Sequence, residues 1–385
     1  MNHLRWLLFP FSMIYGLVVI TRNWLYDAGL FKSYRFNVPV ISVGNLEVGG
    51  AGKSPMTEYL IRLFIKDYKL AVLSRGYGRK TQGYLVAGVG GKEQEIKSQE
   101  AGQDNDTHSN NRGTSTSQSI ASQIGDEPAQ FKNKFPDITV AVCEYRVTGI
   151  KNLLADHDLI VMDDAFQHRA VKPGFSILLF DYNGINRPRL LLPAGDMREP
   201  ISGRWRAQVL IVSKCPPMLS VIQKAEIAAT IKPLPYQQLF FSCIAYQALQ
   251  NLDGNSANVA IDEDTTVFLL TGIANSKPLV QYLNGFTSHI IHHKYPDHHP
   301  FTLKNISKLA DGFLNCTSSK KLIITTEKDA QRLMGALLKT GMQFNKSLPV
   351  YVLPIRVEFL NDSAQQFNKV ITEYVREYTT DNRIY

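Results

Sequence analysis

Cysteine is scarce in this chain, and the few cysteines lie far apart. The 385 residues contain four of them, Cys143, Cys215, Cys243 and Cys316, and none belongs to a C-x-x-C pair. This spacing argues against a disulfide framework or a zinc finger and favours a reducing compartment. Hydrophobic residues make up 44% of the chain and charged residues 20%, which is typical of a folded protein long enough for two domains.

A continuous apolar run of membrane-spanning length is also missing. The most apolar segment, Leu4 to Ile20, contains Pro10, and its mainly apolar part is shorter than the roughly 20 residues of a spanning helix. Aromatic residues such as Trp6 and Trp24 flank it, which suits a membrane interface. We therefore predict a membrane-associated helix within residues 1–35, with a spanning helix or a buried core helix as the alternatives.

Acidic residues are fewer than basic ones. The chain has 42 Lys and Arg against 34 Asp and Glu, so its net charge is +8. Such an excess suits anionic partners, which include phosphates, nucleic acid and acidic membrane surfaces. The basic residues are spread out and form no aromatic–basic motif, so we expect no nucleic-acid partner.

The strict phosphate-binding pattern G-x-x-x-x-G-K-[ST] is absent, because Glu47 occupies the place of its first glycine. A displaced version is present between an apolar strand pattern, Val38 to Val43, and a helix pattern, Met56 to Lys66. It consists of Gly49, Gly50, Ala51, Gly52, Lys53 and Ser54. Backbone N–H groups and a helix N-terminus in such a loop bind phosphates, with the lysine on the β/γ-phosphates and the serine on Mg²⁺. We predict a nucleotide-binding P-loop here; an ordinary glycine-rich turn is the alternative.

Short apolar runs separated by helical patterns continue after this loop. They predict a P-loop NTPase-like α/β fold, with a mostly parallel sheet covered by helices on both faces. After a strand that begins at Lys69, the predicted strands are Ile138–Cys143, Asp158–Met162, Ser176–Phe180 and Ala207–Val212. Polar motifs follow several of these strands, at the sheet edge where such folds bind ligands.

A second block of strand and helix patterns predicts a smaller C-terminal α/β domain. Its predicted strands are Thr266–Leu270, Ser288–His293, Lys321–Thr325 and Pro349–Leu353, and its predicted helices are Lys277–Leu283, Leu303–Asn315 and Asp329–Leu338. The domains are therefore expected at 36–225 and 226–385, with a proline-rich hinge at Cys215–Pro235. Residues 99–123 are polar and nearly free of large apolar side chains, which predicts a disordered insertion.

Carboxylates mark two candidate catalytic positions. Asp163 and Asp164 follow an apolar strand, where a P-loop protein carries its second Mg²⁺-binding element. Asp126 follows the polar insertion in the run Gly-Asp-Glu-Pro. Its position suits a general base and equally a helix N-cap, so both interpretations remain open.

Two further segments are rich in polar side chains. Arg198 could stabilise phosphoryl charge and Glu199 could bind a metal, although a solvated salt bridge is an equal alternative. Residues 292–299 contain four histidines and one aspartate without the spacing of a known zinc motif, so a histidine held by an aspartate is favoured over a metal site. The runs Val212–Lys214 and Thr326–Asp329 lack the asparagine of a guanine-binding N-K-x-D loop.

Together these motifs resemble those of the tetraacyldisaccharide 4'-kinase family. The matching runs occur in the family's order over nearly the whole chain: VGNLEVGGAGKSP, VLSRGYGR, GDEP, MDDAFQHR, LPAGDMREP, TGIANSKPL, YPDHHPFT and TTEKDAQRL. The chain departs from the family pattern at Ala165 and Phe166, where the family usually has glycine and leucine beside the acidic pair. The usual Gly-Asn-Gly before the LPAG run is also absent.

The resemblance implies a reaction and a set of roles. ATP with Mg²⁺ would donate its γ-phosphoryl group to the 4'-hydroxyl of a tetraacyl glucosamine disaccharide 1-phosphate, a step of lipid A biosynthesis, at the cytoplasmic face of the bacterial inner membrane. Lys53 and Ser54 match the phosphate and metal positions, Asp163, Asp164 and Glu199 the metal-associated acids, and Asp126 with His298 the catalytic base and its partner. No obligate protein partner is predicted. A nucleotide-hydrolysing switch and a membrane-bound nucleotide-binding module remain the rival functions.

Overall fold

The computed structural model describes residues 7–88, 120–340 and 348–381. Within these ranges helices and short strands alternate along the chain. The helices are α1 (Phe9–Asp27), α2 (Lys53–Phe64), α3 (Ile120–Ile124), α4 (Asp126–Lys134), α5 (Arg146–Leu153), α6 (Val221–Ile231), α7 (Lys277–Asn284), α8 (Leu303–Asn315), α9 (Glu327–Thr340) and α10 (Ala364–Asp381). The strands are β1 (Val40–Asn45), β2 (Leu70–Ser74), β3 (Leu85–Val86), β4 (Thr139–Val142), β5 (Leu159–Asp163), β6 (Phe175–Asp181), β7 (Val209–Ser213), β8 (Gln238–Tyr246), β9 (Gln250–Asn251), β10 (Thr266–Thr271), β11 (Ile290–Lys294), β12 (Lys321–Thr326), β13 (Val350–Leu353) and β14 (Ile355–Phe359).

The chain folds into two compact units, each assembled from separate stretches of sequence. Unit 1 comprises Met1–Arg75, Ile138–Ala245 and Ile355–Tyr385. Unit 2 comprises Gly76–Asp137 and Tyr246–Pro354. The predicted boundary between residues 225 and 226 is therefore not where the chain leaves unit 1.

The sheet of unit 1 is mostly parallel, as the apolar runs predict. Its strand order is β14-β8-β7-β6-β1-β5-β2-β4. β1 lies between β5 and β6 and is parallel to both. Every residue of β1, β2, β5 and β7 is buried, which is why these strands have continuous apolar sequences instead of alternating ones. The predicted fold class is confirmed, and the loops after β1 and β5 meet at one edge of the sheet.

The C-terminal segment belongs to the sheet of unit 1, contrary to the predicted 226–385 domain. β14 lies beside β8, and α10 buries Phe367, Ile371 and Val375 completely. The Tyr59 hydroxyl on α2 donates a hydrogen bond to Asn368 Oδ1 at 2.9 Å. Neither β14 nor α10 is among the elements predicted from the sequence, and a local pattern cannot show which sheet a strand joins.

The predicted hinge at Cys215–Pro235 is also an integral part of unit 1. Most of it forms α6, which begins with a reciprocal Ser220–Gln223 capping box. The helix connects β7 to β8, its parallel neighbour in the sheet. The prolines lie in the turns before and after the helix. They therefore flank a helix that connects two strands of one sheet and do not form a linker between domains.

Unit 2 contains a smaller sheet with the order β11-β10-β12-β13-β9, in which only the pairing of β9 with β13 is antiparallel. Alternate residues of β10 belong to two different apolar clusters: Phe268 and Leu270 pack with α8 and α9, while Val267 and Leu269 pack with α7. The sheet is therefore covered on both faces, as its apolar sequence predicts.

The stretch that precedes β4 supplies two helices, α3 and α4, to unit 2. Of the predicted disordered insertion, residues 99–119 lie outside the described residues. Residues 120–123 are part of α3, so the prediction extended too far at its C-terminal end. On α4, Glu127 pairs with Lys328 of α9 at 2.8 Å. This contact helps explain why Gly76–Asp137 joins unit 2.

The N-terminal helix α1 begins at Phe9, with Pro10 in its first turn. Backbone N–H groups of the first turn make no hydrogen bond within a helix, so proline is tolerated there. The helix continues to Asp27, which is within the predicted range 1–35 and seven residues beyond the end of the apolar segment at Ile20. Ser12, Gly16 and Val19 are buried against the rest of unit 1. Among the described residues, no helix combines the length and apolarity needed to cross a membrane.

Candidate active site

The P-loop joins the end of β1 to the start of α2. Gly52 caps the helix in a left-handed conformation, with φ of 80°, which a side chain would strain. The Lys53 ammonium lies 3.1 Å from Asn45 Oδ1, 3.4 Å from the Gly49 carbonyl oxygen and 3.7 Å from Asp164 Oδ2. The lysine is thus folded over its own loop, beside the acidic end of β5. A positive side chain at a helix N-terminus is an arrangement that binds phosphate groups.

The end of β7 supports this loop from behind. The Ser213 hydroxyl donates to the carbonyl oxygen of Ala51 at 2.7 Å. Lys214 follows it and pairs with Asp181 at 2.8 Å. Its ammonium lies 3.9 Å from the point where a side chain on Gly50 would begin. The Val-Ser-Lys run, which the sequence shows only as an incomplete guanine-binding motif, therefore braces the P-loop and places a second cation beside it.

The two predicted metal carboxylates have different surroundings. Asp163 is buried and accepts a hydrogen bond from the Thr57 hydroxyl at 3.0 Å, which ties β5 to α2. Asp164 is one-third exposed, has a φ of 46°, and accepts from Arg198 at 2.9 Å. Its carboxylate is therefore directed toward the P-loop side of the sheet, near Lys53.

The donor set at this edge fits Mg²⁺ held chiefly through a nucleotide. Mg²⁺ requires oxygen ligands and commonly takes only one or two carboxylates, with water and phosphate completing its octahedron. Asp164 lies beside the P-loop lysine and Ser54 follows that lysine in the sequence, so both carry oxygens of the kind that Mg²⁺ binds. Consistent with so few protein ligands, no cluster of three or more His, Cys, Asp or Glu side chains occurs within the described parts of the chain.

Glu199 is placed differently from the prediction. It is completely buried, and both of its oxygens already accept hydrogen bonds. Arg206 at 2.7 Å and Asn23 at 3.1 Å donate to Oε2, and Gln167 at 3.0 Å donates to Oε1. The carboxylate ties α1 to the loops after β5 and β6, and the described residues do not gather it with Asp163 and Asp164 into a metal-binding group.

His168, in the loop after β5, lies in a positive environment. Burial, followed by the charges of Arg146, Arg75 and Arg22, lowers its pKa to about 4. Arg146 is itself nearly inaccessible, and burial lowers its pKa to about 10 in spite of the nearby Asp163 carboxylate. The imidazole is therefore neutral near pH 7, and the guanidinium groups supply the positive charge.

Phe166, where the chain departs from the family pattern, packs against the P-loop strand. A side chain on Gly44 would begin 2.6 Å from the Phe166 Cβ, so this close approach requires glycine in β1. The Arg206 guanidinium lies over the Phe166 ring at 4.3 Å. The larger residue thus fills the space between β1 and Arg206 without displacing either acidic residue.

The second predicted catalytic pair lies entirely in unit 2. Asp126 is the first residue of α4 and Gly125 is its N-cap, so the N-cap interpretation of Asp126 is wrong. His298 Nδ1 lies 3.3 Å from Asp126 Oδ2. Arg332, on α9, donates to the same oxygen through Nε at 2.8 Å. Arg332 belongs to the family run TTEKDAQRL but was not among the predicted site residues. Its position three residues after Asp329 places both on one face of α9.

The other histidines of the 292–299 segment point to separate partners. His292 meets the Thr271 hydroxyl at 2.8 Å, and His293 stacks on Phe268. His299 stacks on Tyr295 and meets Asn305 at 3.1 Å. These three histidines therefore contact different side chains and are not gathered into one cluster.

Comparison with known proteins gives matches over nearly the whole chain. A family model described as tetraacyldisaccharide-1-P 4'-kinase matches residues 4–106 and 105–376. Among curated relatives, a protein of Phocaeicola vulgatus described as tetraacyldisaccharide 4'-kinase is 42% identical over 97% of this chain and 95% of its own length. One of Flavobacterium johnsoniae with the same description is 39% identical over 98% of this chain and 99% of its own length.

A solved structure is similar over the same extent. It is described as an apo form of LpxK from Aquifex aeolicus in complex with ATP, and it aligns with a TM-score of 0.69 at 26% identity. The alignment covers 97% of this chain and 99% of that one. On the strength of the full-length matches, this chain belongs to the tetraacyldisaccharide-1-P 4'-kinase family.

Proposed function

We propose that the protein transfers the γ-phosphoryl group of ATP to the 4'-hydroxyl of a tetraacyl glucosamine disaccharide 1-phosphate, in lipid A biosynthesis. Family membership supports the reaction. The observation that carries it is the meeting of the P-loop lysine and the acidic end of β5, with Lys53 and Asp164 at 3.7 Å. A nucleoside triphosphate is bound by such a cation and carboxylate together, because the cation contacts its phosphates and the carboxylate holds the metal ion beside them.

Unit 1 holds the phosphoryl donor. Backbone N–H groups of Gly49 to Gly52 bind the phosphates, and Lys53 neutralises charge that builds up on the γ-phosphoryl group. Ser54 and Asp164 hold Mg²⁺, which when bound screens the phosphate charges and orients the leaving group. Asp163 remains in its hydrogen bond with Thr57 and keeps β5 aligned with α2. Glu199 acts by tying α1 to the loop that carries Arg198, which replaces the predicted role as a metal ligand.

Asp126 of unit 2 accepts the proton of the acceptor hydroxyl. The hydroxyl oxygen forms a bond to the γ-phosphorus, the bond from that phosphorus to the bridging β,γ-oxygen breaks, and ADP leaves. Phosphoryl transfer depends more on positioning and charge neutralisation than on covalent catalysis by the protein. A carboxylate with an imidazole at 3.3 Å suits the proton transfer.

The lipid substrate requires contact with a membrane, and α1 supplies an apolar surface for it. Phe11, Met13, Ile14, Leu17 and Val18 are all more than half exposed to solvent. The opposite side of α1 is fixed to unit 1, because the Ser12 hydroxyl donates to the Leu191 carbonyl oxygen at 3.0 Å and accepts from the Ala194 N–H at 2.8 Å. An amphipathic helix held in this way lies in the interface plane. We place the protein at the cytoplasmic face of the bacterial inner membrane, where ATP and the lipid are both available.

Transfer of labelled γ-phosphate from ATP to a tetraacyl disaccharide 1-phosphate in detergent micelles tests the function. Wild type should label the lipid at the 4' position, and Lys53→Ala and Asp126→Asn should each lower the rate by roughly 100-fold or more. Asp137→Asn is the matched control for Asp126, because it removes an exposed carboxylate just beyond the same helix and should leave the rate unchanged.

Two outcomes would overturn the proposal. ATP hydrolysis by wild type with no phosphate on the lipid would indicate a nucleotide-driven switch. Tight ATP binding with neither hydrolysis nor transfer would indicate a membrane-bound nucleotide-binding module.

A further inference from the structure

Arg332 touches both members of the Asp126–His298 pair. It is only 6% exposed, on α9 of unit 2. Its Nε donates to Asp126 Oδ2 at 2.8 Å, and its Nη2 lies 3.1 Å from His298 Nδ1. We infer that Arg332 is the residue that positions the pair, and that it keeps the imidazole proton of His298 on Nε2. This inference rests on the proposed role of Asp126 as the base.

The hydrogen-bond donors around His298 Nδ1 determine its tautomer. Nδ1 of an imidazole carries either a proton or a lone pair, so it cannot donate to Asp126 and accept from Arg332 at the same time. A guanidinium is always protonated and has no acceptor atom, so the Nη2 contact requires a lone pair on Nδ1. The arginine contact is also the shorter, 3.1 Å against 3.3 Å to the carboxylate. Asp126 is therefore held by Arg332, and His298 is held beside it by the same guanidinium.

The guanidinium is anchored from the other side by a buried carboxylate. Its Nη1 donates to Asp329 Oδ1 at 3.1 Å and to the Gly272 carbonyl oxygen at 2.8 Å. Asp329 is fully buried and accepts from the Gly272 N–H at 3.0 Å and the Thr326 hydroxyl at 2.8 Å. The planar fork of arginine makes all these contacts with one fixed geometry, which lysine cannot reproduce.

The carbonyl oxygen of Gly272 joins the arginine to the histidine loop. It also accepts from the His298 backbone N–H at 3.1 Å. A side chain on Gly272 would begin 3.1 Å from Asp329 Oδ1, so this junction at the end of β10 leaves little room for one. The same short piece of backbone therefore fixes Arg332 and the main chain of His298.

The other charged or titratable groups around the pair are few. From α4, Glu127 faces Lys328. From the loop, Asp297 Oδ2 lies 3.9 Å from His298 Nε2, on the side where the inferred tautomer carries its proton. The Tyr77 ring packs edge-on against the imidazole. Within the part of the chain that the structure describes, none of these three groups bridges Asp126 and His298, whereas Arg332 contacts both.

The test combines kinetics with ¹⁵N NMR of histidine-labelled protein, with the His298 signals assigned through His298→Gln. Arg332→Met should lower kcat roughly 10- to 100-fold, as expected when a reacting group is misplaced, and should leave KM for ATP and lipid within about 3-fold of wild type. In wild type the ¹⁵N signals should show a proton on Nε2, and in Arg332→Met they should shift toward Nδ1 protonation. Arg332→Lys keeps the charge without the fork, so it should restore little of kcat.

Lys328→Met is the matched control. It removes a cation from the same turn of α9 and breaks the contact to Glu127, but it leaves Arg332 in place. It should keep wild-type kcat and the wild-type His298 signals. If Arg332→Met lowers kcat no more than Lys328→Met does, or if the tautomer is unchanged in Arg332→Met, the inference is wrong. If Asp126→Asn retains activity, the proposed base is wrong instead, and the two failures are distinguishable.

If Arg332→Met fails to fold, the ¹⁵N NMR measurement on wild-type protein still tests the inferred tautomer of His298. Wild-type protein with Nδ1 protonated would by itself contradict the arginine contact, whatever the variant does.

Discussion

At the scale of single residues, side-chain chemistry was enough to identify some members of the site and misleading for others. Lys53, Asp163 and Asp164 were selected because a P-loop needs a cation and acidic groups at neighbouring strand ends, and parallel β1 and β5 bring these ends together. Glu199 was selected by the same chemistry, but burial and three protein donors occupy its carboxylate. A charge in the sequence does not show its partners, because Asn23 on α1 and Gln167 after β5 reach Glu199 from distant parts of the chain.

His168 leads to a prediction about acid stability. Its pKa of about 4 in the folded protein lies below the ordinary value of 6.5. Between these values the unfolded chain binds a proton that the folded chain does not, so the free energy of unfolding should fall as the pH drops from 6.5 to 4, by about 2–3 kcal/mol at most. Urea titrations across this range should show a shallower decline for His168→Gln than for wild type.

His289→Gln, at an exposed position, is the control and should retain the wild-type decline. An equally steep decline in His168→Gln would show that other groups cause the acid sensitivity.

At the scale of single elements, the exposure of the α1 side chains can be compared directly with the prediction from its sequence. Its apolar composition predicts a membrane-surface helix, with a spanning helix or a buried core helix as the alternatives, and periodicity does not decide among them. The structure buries only a narrow stripe that includes Ser12, Gly16 and Val19, and it exposes the large side chains. A core helix would bury them, so that alternative is excluded. The buried stripe of α1 packs against residues 191–199, and this tertiary contact cannot be predicted from the hydrophobicity of the helix.

The exposed face of α1 is predicted to bind lipid. Leu17→Glu with Val18→Glu should weaken binding to anionic vesicles by roughly 100-fold, because burying two such side chains contributes about 3 kcal/mol. Vesicle sedimentation measures the effect. Val221→Glu with Ile222→Glu is the matched control, since both residues are exposed and apolar but lie on α6. Equal loss of binding in the two double variants would contradict a specific role for α1.

At the scale of the whole molecule, the two units are discontinuous in sequence. The stretch from Gly76 to Asp137 belongs with the second sheet, and the last helix belongs with the first. The sequence predicts most strands of both sheets, because buried parallel strands need continuous apolar runs. It does not predict β3, β8, β9 and β14. It did not predict that Gly76–Asp137 belongs to unit 2 and Ile355–Tyr385 to unit 1, since the sequence pattern of a strand is the same whichever sheet the strand joins.

The position of α10 predicts that the C-terminus stabilises the nucleotide-binding unit. Ile371→Ala with Val375→Ala should lower its free energy of unfolding by about 4 kcal/mol, because each removes a fully buried side chain. ATP should protect wild type against urea more than it protects this variant. Lys369→Ala, on the exposed side of α10, should behave as wild type. If the double variant loses no stability in unit 1, the C-terminal helix is not part of its core.

The sequence by itself determined the chemistry of this protein: a displaced P-loop, an acidic strand end, a Gly-Asp-Glu-Pro run and the adjacent Asp297 and His298, in the order of a known kinase family. These are local patterns, and local patterns follow from residue type and spacing. The tertiary structure decided the partners: Arg332 for the Asp126–His298 pair, the buried donors around Glu199, and the sheet that α10 completes. Contacts between residues far apart in sequence depend on how the strands are ordered and which faces they bury, and no local pattern carries that information.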